Sequence, residues 1–173
     1  MQSFLSGKPV IKRILLVDDE RSIRESLSKI LGAENYEVVL AENGHEAIEK
    51  HGAQRIDLLI LDLNMPVKNG WDTLDWLVKI DPVLPVVIIT GRSDQRALAE
   101  TAGADALMEK PLDVPFLLQT IRELMDEPME NRAQRARNRA SGSQSMPSDH
   151  QPFDGMLLKC CITPSPLPES KGA

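Results

Sequence analysis

Short apolar runs separated by amphipathic stretches extend from residue 12 to residue 126 of this chain. Each run has the length of a strand and is followed by polar or turn residues, which is typical of buried parallel strands. The pattern therefore predicts five strands, at Lys12–Val17, Tyr36–Ala41, Ile56–Leu61, Pro85–Ile89 and Asp105–Glu109.

The segments between these runs carry apolar residues at helical spacing. In the first segment the stripe Ile23–Leu31 falls on one face, and Gly32 is expected to end the helix. The most regular stripe is Val114–Met125, with Asp113 placed to cap it. Further helices are predicted at Gly44–His51, Trp71–Val78 and Ser93–Ala102. This alternation predicts an α/β fold with a doubly wound, five-stranded parallel sheet of order 2-1-3-4-5, which is a flavodoxin-like arrangement.

The composition changes after residue 127, which divides the chain into three predicted parts. Residues 1–10 are expected to be a flexible lead-in, 11–127 a folded domain, and 128–173 a disordered tail rich in Ser and Pro. Pro128 is expected to break the last helix. For the arginines that follow it, a solvated helical extension or a flexible arm is predicted, with contact to nucleic acid or an acidic partner as the minority alternative. These arginines are Arg132, Arg135, Arg137 and Arg139.

Charge and cysteine use argue against several classes of function. The 173 residues have a net charge of −6, which disfavours nucleic acid as the main ligand, and no DNA-binding domain is recognised. No apolar run approaches the ~20 residues that a membrane span needs, and residues 1–9 lack the apolar core of a secretory signal. Cys160 and Cys161 are adjacent and have no metal-ligand spacing around them. We therefore expect a reducing, cytoplasmic location without membrane contact.

Polar residues that could bind a ligand or take part in a reaction follow four of the predicted strands. Asp18 and Asp19 come after the first strand, Asp62 after the third, Thr90 after the fourth and Lys110 after the fifth. Because the carboxyl ends of parallel strands meet at one edge, these side chains are expected to converge on one crevice. Taken alone, the acids after the first strand could simply favour a helix N-terminus.

Three carboxylates in one crevice repel one another. A pair of like charges about 4 Å apart costs roughly 4 kcal/mol at an effective dielectric of about 20. A lysine relieves part of that repulsion, and Mg²⁺, which prefers carboxylate oxygens and water, relieves more. Acids, a cation, a hydroxyl and an ammonium together suit phosphoryl transfer to an aspartate. The new charge on Asp62 would then draw Thr90 inward, which makes the site a switch.

The motifs Asp18-Asp19, Asp62 with Met65-Pro66 and Gly70, Thr90, and Lys110-Pro111 resemble the receiver domain of bacterial two-component response regulators, over Arg13–Asp126. The resemblance implies that Asp62 accepts a phosphoryl group from a sensor histidine kinase or a phosphotransfer protein. The chain would then bind an unidentified downstream protein or pass the group on in a phosphorelay. It would be a phosphoacceptor switch that assists its own phosphorylation and dephosphorylation, and not an enzyme.

The resemblance also implies a role for each residue of the site. Mg²⁺ would be bound by Asp19, Asp62 and the backbone carbonyl of Asn64, with Asp18 acting through water. Thr90 and Lys110 would sense the phosphoryl group. Asn64 and Arg92 occupy positions that tune hydrolysis in the family.

Two positions depart from the family pattern. Leu107 stands where Tyr or Phe is usual on the switch and output surface, so rotation of an aromatic ring has no counterpart here. Gly91 stands where Ala or Ser is common, and it is expected to loosen the turn after Thr90. These departures are the support for an alternative, a pseudo-receiver scaffold that works without phosphorylation.

Enzymes of other α/β types fit the sequence less well. A flavodoxin needs a phosphate loop rich in Gly and hydroxyl residues after the first strand, where this chain has acids that repel phosphate. A phosphatase with an aspartate nucleophile needs that aspartate on the first strand and a second one two residues later. In this chain the two acids are adjacent.

Overall fold

The computed structural model describes residues 11–65, 70–91 and 102–141. Within these residues one parallel sheet of order β2-β1-β3-β4-β5 forms the centre of the molecule. Its strands are β1 (Arg13–Val17), β2 (Glu37–Ala41), β3 (Leu58–Asp62), β4 (Val86–Thr90) and β5 (Ala106–Glu109). The predicted fold class and strand order are confirmed.

Among the described residues, three helices connect strands and two follow β5. They are α1 (Arg21–Ala33), α2 (Gly44–Ala53), α3 (Gly70–Ile80), α4 (Val114–Asp126) and α5 (Met129–Ser141). The helix predicted at Ser93–Ala102 lies outside the described residues, except for its last residue. Among the helices of the described ranges, none has both the length and the apolar character that crossing a bilayer requires.

Neighbouring residues of each central strand point to opposite faces of the sheet, and both faces are covered. One apolar cluster joins Leu59 to Ala47 of α2 and Leu77 of α3. The other joins Ile60 to Leu31 of α1 and Ile121 of α4. Every residue of β3 and β4 is buried as a result, which explains why these strands are unbroken apolar runs in the sequence.

The register of the strands aligns their carboxyl ends. Val17 pairs with Leu61, Asp62 pairs with Ile89, and Thr90 pairs with Glu109. Asp18, Asp62, Thr90 and Lys110 therefore lie at the same edge of the sheet. This is the edge at which open α/β sheets bind ligands.

The helix ends agree only in part with the sequence signals. The Asp113 side chain caps α4 by accepting a hydrogen bond from the Phe116 amide at 3.0 Å, as predicted. The prediction that Gly32 ends the first helix is wrong, because α1 continues to Ala33. The left-handed residue beyond α1 is Asn35, with φ of 65°, a conformation that asparagine tolerates better than most residues.

The structure differs from the predicted disordered tail over residues 129–141, which form α5. Nor is this helix a wholly solvated arm. Arg132 donates to the carbonyl oxygens of Leu124 and Met125 at the end of α4, at 2.7 and 2.8 Å. Arg135 forms ion pairs with Asp105 and Glu127. Two of the four arginines are thus used within the fold, which weakens the nucleic-acid alternative.

Replacing Arg135 with alanine is expected to lower the free energy of unfolding by about 2 kcal/mol. The Asp105 side chain is only 1% exposed, and it accepts hydrogen bonds from Arg135 and, at 2.8 Å, from the Val86 amide. A buried acceptor that loses a partner costs roughly 1–3 kcal/mol. Urea denaturation measures the change. The control is Arg137→Ala, because Arg137 is exposed and bonds Gln134, and it is expected to change stability little. If the two variants are equally stable, the contact between Arg135 and Asp105 does not stabilise the fold.

Candidate functional site

Three carboxylates meet where β1 and β3 end. Asp18 follows β1, and Asp62 is the last residue of β3. Both are buried, with 1% and 2% of their surface exposed, whereas Asp19 is exposed. An oxygen from each of the three lies within 4.8 Å of the others. Burial of two acids distinguishes this cluster from the acidic patches common on protein surfaces.

Lys110 lies between the two buried acids. Its Nζ is 2.6 Å from Asp62 Oδ2 and 3.0 Å from Asp18 Oδ2, with Glu20 Oε1 farther away at 3.8 Å. The Lys110 amide also donates to the Thr90 carbonyl oxygen at 2.9 Å, which fixes the lysine at the end of β5. The ammonium therefore compensates charge from two strands at once.

Burial and charge pairing shift two pKa values at this site. Burial raises the pKa of Asp18, and this effect outweighs the hydrogen bonds from the Glu20 amide and Lys110 that lower it. Burial lowers the pKa of Lys110, but the hydrogen bonds and charges of Asp62 and Asp18 outweigh it, so the pKa is raised. Lys110 is thus held in its charged form while Asp18 is harder to ionise than a solvated aspartate.

Asn64 joins Asp62 to Thr90. The Asn64 amide donates to Asp62 Oδ1 at 2.8 Å, and its side-chain Nδ2 donates to Thr90 Oγ1 at 3.0 Å. Thr90 is the last residue of β4 and is fully buried. One residue therefore contacts both the carboxylate of β3 and the hydroxyl of β4.

Gly70 packs against the backbone at the end of β3. A Cβ atom at this position would lie 2.5 Å from the Asp62 carbonyl oxygen and 2.6 Å from the Leu63 Cα. Only glycine permits that approach. At Gly91 a Cβ atom would lie 3.8 Å from Asn64 Nδ2, an ordinary contact, so steric crowding does not require glycine there.

The remaining predicted site residues are Leu107 and Arg92, and the motif after Asp62 also includes Pro66. Leu107 lies in β5, where it is partly buried against the apolar cluster on the α2 and α3 face. Arg92 and Pro66 lie outside the described residues.

Sequence reasoning missed Arg24 of α1. Its guanidinium donates to the carbonyl oxygens of Asp18 and Asp19, at 2.6 and 2.9 Å. Hydrophobic periodicity gives no signal for this residue, because it marks only where apolar side chains recur. A weak signal was present, since basic residues are disfavoured in the first turn of a helix, where Arg21 and Arg24 nevertheless occur.

The oxygen-rich set fits a hard divalent cation. Three carboxylates can each offer an oxygen, the ligand type that Mg²⁺ prefers, and the exposed Asp19 leaves the cluster open to solvent.

Comparison with known proteins identifies the family of this chain. A model of the response regulator receiver domain matches residues 14–122. Response regulator MprA of Mycobacterium leprae is 39% identical over 115 residues, which are 65% of this chain and 50% of that protein. The MprA protein of Mycobacterium ulcerans is 38% identical over the same shares of each chain. The chain thus spans about half the length of the curated relatives it matches.

Solved structures agree with this match. A CheY-like response regulator receiver domain protein from Methanospirillum hungatei JF-1 has a TM-score of 0.65 and 33% identity, covering 70% of this chain and 98% of that one. Response regulator TrrA from Thermotoga maritima, in complex with Mg(2+)-BeF, has a TM-score of 0.62 and 35% identity, covering 66% and 99%. Sequence match, sheet order and the acidic edge agree, and the chain belongs to the response regulator receiver domain family of two-component systems.

Proposed function

We propose that Asp62 accepts a phosphoryl group from a sensor histidine kinase or a phosphotransfer protein, in a Mg²⁺-dependent reaction in the cytoplasm. The observation that carries this proposal is the sharing of the Lys110 ammonium by two buried carboxylates, Asp62 and Asp18. Paired acids with one compensating lysine at a ligand-binding sheet edge are costly to bury, and a phosphoryl-transfer site gives them a use.

The transfer itself needs little covalent work from the protein. An oxygen of Asp62 attacks phosphorus, the bond from phosphorus to the donor histidine nitrogen breaks, and its electron pair returns to the imidazole. The Asn64 amide and Lys110 orient the carboxylate by holding one oxygen each. The product is an acyl phosphate on β3, and the negative charge at the site increases.

Asp19, Asp62 and the backbone carbonyl of Asn64 would hold Mg²⁺, with Asp18 acting through water. When bound, the cation neutralises charge on the phosphoryl oxygens. Asp18 and Asp62 each accept a backbone amide at Oδ1 and the Lys110 ammonium at Oδ2. The exposed Asp19 is more accessible to an entering ion.

Thr90 and Lys110 would report the phosphorylated state. Thr90 is poised for this because its hydroxyl already lies within reach of Asn64, two residues from Asp62. When the hydroxyl turns to a phosphoryl oxygen, the end of β4 is drawn towards β3. The output is phosphorylation-dependent binding of a downstream protein or onward transfer of the phosphoryl group. Leu107 would act at the output surface without the usual ring rotation, and Asn64 and Arg92 would set the hydrolysis rate.

An apolar groove beside the acids supports a protein as the phosphoryl donor. It has a volume of about 350 Å³ and runs from Lys110 and Pro111 along α1, with Ile23, Leu27 and Ile30 in its lining. Because Lys110 belongs to both the groove and the acid cluster, a helix that carries the donor histidine could cover the groove and reach Asp62. Helix-in-groove recognition is a common docking mode.

Incubation of the chain with acetyl phosphate and Mg²⁺ tests the function. We expect the intact mass to increase by one phosphoryl group per chain, and no increase when EDTA replaces Mg²⁺. Asp62→Asn is expected to abolish the increase, because the amide is not a nucleophile for this reaction. The bond should be labile to hydroxylamine, as an acyl phosphate is and a phosphoserine is not.

Asp75→Asn is the matched control. Asp75 lies in α3 and pairs with Lys79 on the surface, so the variant should be phosphorylated like the unaltered chain. No mass increase in the unaltered chain, or an increase that persists in Asp62→Asn, would overturn the proposal. The phosphate-independent scaffold instead predicts partner binding that Asp62→Asn leaves unchanged.

A further inference from the structure

Arg24 links α1 to the turn that carries two of the three acids. One guanidinium nitrogen, Nη1, donates to the Asp18 carbonyl oxygen at 2.6 Å and to the Asp19 carbonyl oxygen at 2.9 Å. Only 13% of the Arg24 side chain is exposed. We propose that Arg24 is a positioning residue for the divalent-cation site, because it fixes the two peptide planes from which the Asp18 and Asp19 side chains project. The inference rests on the proposed function in one respect, that these acids bind a divalent cation.

The two acids differ in how much they depend on this contact. Asp18 is also held by its own groups, since its amide donates to the Ala41 carbonyl at 3.2 Å and its Oδ1 accepts from the Glu20 amide. Asp19 is exposed, so its side chain has no surrounding core to orient it. The backbone direction at Asp19 therefore matters more, and Arg24 bonds its carbonyl oxygen. Arginine suits this task because its planar group presents several donors in a fixed arrangement.

The other end of the guanidinium faces the turn between β2 and α2. Arg24 Nη2 is 3.9 Å from Glu42 Oε2, and the Glu42 amide donates to Glu46 Oε2 at 2.7 Å. Glu42 is largely exposed, so this ion pair contributes little energy. It does direct Nη2 away from the acids, which leaves Nη1 facing the two carbonyl oxygens.

Positioning and plain electrostatics predict effects of opposite sign. Arg24 carries a positive charge close to the acids, and a charge acting alone would repel an entering cation. Its removal would then tighten cation binding. If Arg24 instead positions the turn, its removal weakens cation binding. The position of Arg24 in the first turn of α1 also favours a positioning role. The helix dipole disfavours a cation there, and the first turn of α1 has no acidic residue to offset this cost.

Isothermal titration of the full chain with Mg²⁺ tests the inference. Arg24→Met keeps the aliphatic stem but removes the charge and the donors, and it is expected to weaken Mg²⁺ affinity roughly tenfold or more, as loss of residues that orient metal ligands does. The matched control is Arg21→Met. Arg21 lies in the same helical turn, is 84% exposed at its side chain and pairs with Glu25. Arg21→Met removes the same charge but leaves the hydrogen bonds to the two carbonyl oxygens intact, so the Mg²⁺ affinity should stay equal or rise slightly.

Arg24→Lys keeps the charge and changes the donor geometry. Its Mg²⁺ affinity is expected to fall between those of the unaltered chain and Arg24→Met. Melting temperatures distinguish a positioning role of Arg24 from a purely structural one. General destabilisation lowers the melting temperature equally with and without Mg²⁺. Loss of positioning, in contrast, also reduces the increase in melting temperature that Mg²⁺ produces. If Arg24→Met does not fold, the Arg24→Lys affinity decides the question alone.

The outcomes separate this inference from the proposed function. If the unaltered chain shows no Mg²⁺ binding, the proposed function fails, and the role given to Arg24 fails with it. If the unaltered chain binds Mg²⁺ and both Arg24 variants bind it as tightly or more tightly, only the positioning role is overturned. Weaker binding in both Arg24 variants, with Arg21→Met unchanged, is the expected result.

Discussion

Lys110→Met is expected to lower the free energy of unfolding by about 3 kcal/mol at neutral pH in the absence of Mg²⁺. The variant leaves the Asp18 and Asp62 carboxylates buried without the ammonium that now lies within 3.0 Å of both. Removing one partner of a buried ion pair costs roughly 3–5 kcal/mol. The lower end of this range applies here because 22% of the Lys110 side chain is exposed, so water can partly replace the lost ammonium.

Two measurements identify electrostatics as the cause. Urea denaturation of Lys79→Met provides the control, because Lys79 forms an exposed i,i+4 pair with Asp75 and such pairs contribute at most about 0.5 kcal/mol. Added Mg²⁺ should raise the melting temperature of Lys110→Met more than that of the unaltered chain, since the cation restores positive charge. A variant that is as stable as the unaltered chain without Mg²⁺ would contradict this account.

The pH dependence of this deficit has a defined sign. The pKa of Lys110 is raised in the folded state, so its contribution is complete below the unfolded pKa and disappears as pH rises through the folded one. The pKa of Asp18 is also raised, so its ionised form reduces stability above that pKa. In Lys110→Met the deficit should therefore shrink as pH falls from neutral towards about 4, where carboxylates take up protons.

Gly70→Ala is expected to cost about 2 kcal/mol of stability and to slow phosphorylation by acetyl phosphate roughly a hundredfold. The new methyl group would lie 2.5 Å from the Asp62 carbonyl oxygen, and both of its nearest neighbours are backbone atoms. Backbone cannot rotate away as a side chain can, so either α3 or the end of β3 must shift. A shift of this kind displaces Asp62, the proposed phosphoacceptor, from Lys110.

Gly91→Ala is the control for this substitution within the same site. The added methyl group would lie 3.8 Å from Asn64 Nδ2, so the variant should fold and accept phosphoryl groups like the unaltered chain. Urea denaturation and time-resolved intact mass measure both variants. The account of Gly70 fails if Gly70→Ala is phosphorylated as fast as Gly91→Ala.

The sheet and its acidic edge could be predicted because they depend on local pattern. Buried strands require apolar runs, and the register of a parallel sheet brings the residues that follow those runs to one edge. The sequence alone therefore predicts that Asp18, Asp62, Thr90 and Lys110 lie together. The family motifs assigned roles to these residues, and those roles remain proposals.

Contacts of long polar side chains could not be predicted in this way. Arg24, Arg132 and Arg135 reach backbone or acidic groups of other segments, and no periodicity marks a residue that does so. Helix α5 was predicted only as one of two alternatives, because it has few apolar residues and its contacts are made largely by arginine. The sequence predicts the end of α1 at Gly32 because glycine is the commonest residue in the left-handed conformation after a helix, whereas in the structure Asn35 has that conformation.

The close approach of α3 to the end of β3 has a practical consequence. Trp71 follows Gly70 directly and packs against the apolar cluster that includes Leu63 and Met65. We expect the emission of an indole in this position to respond to charge that arrives at the neighbouring strand end, which would make Trp71 a built-in optical reporter. Stopped-flow recordings of the proposed phosphoryl transfer would then need no attached dye, and Trp76→Phe would remove the background from the second indole of the same helix.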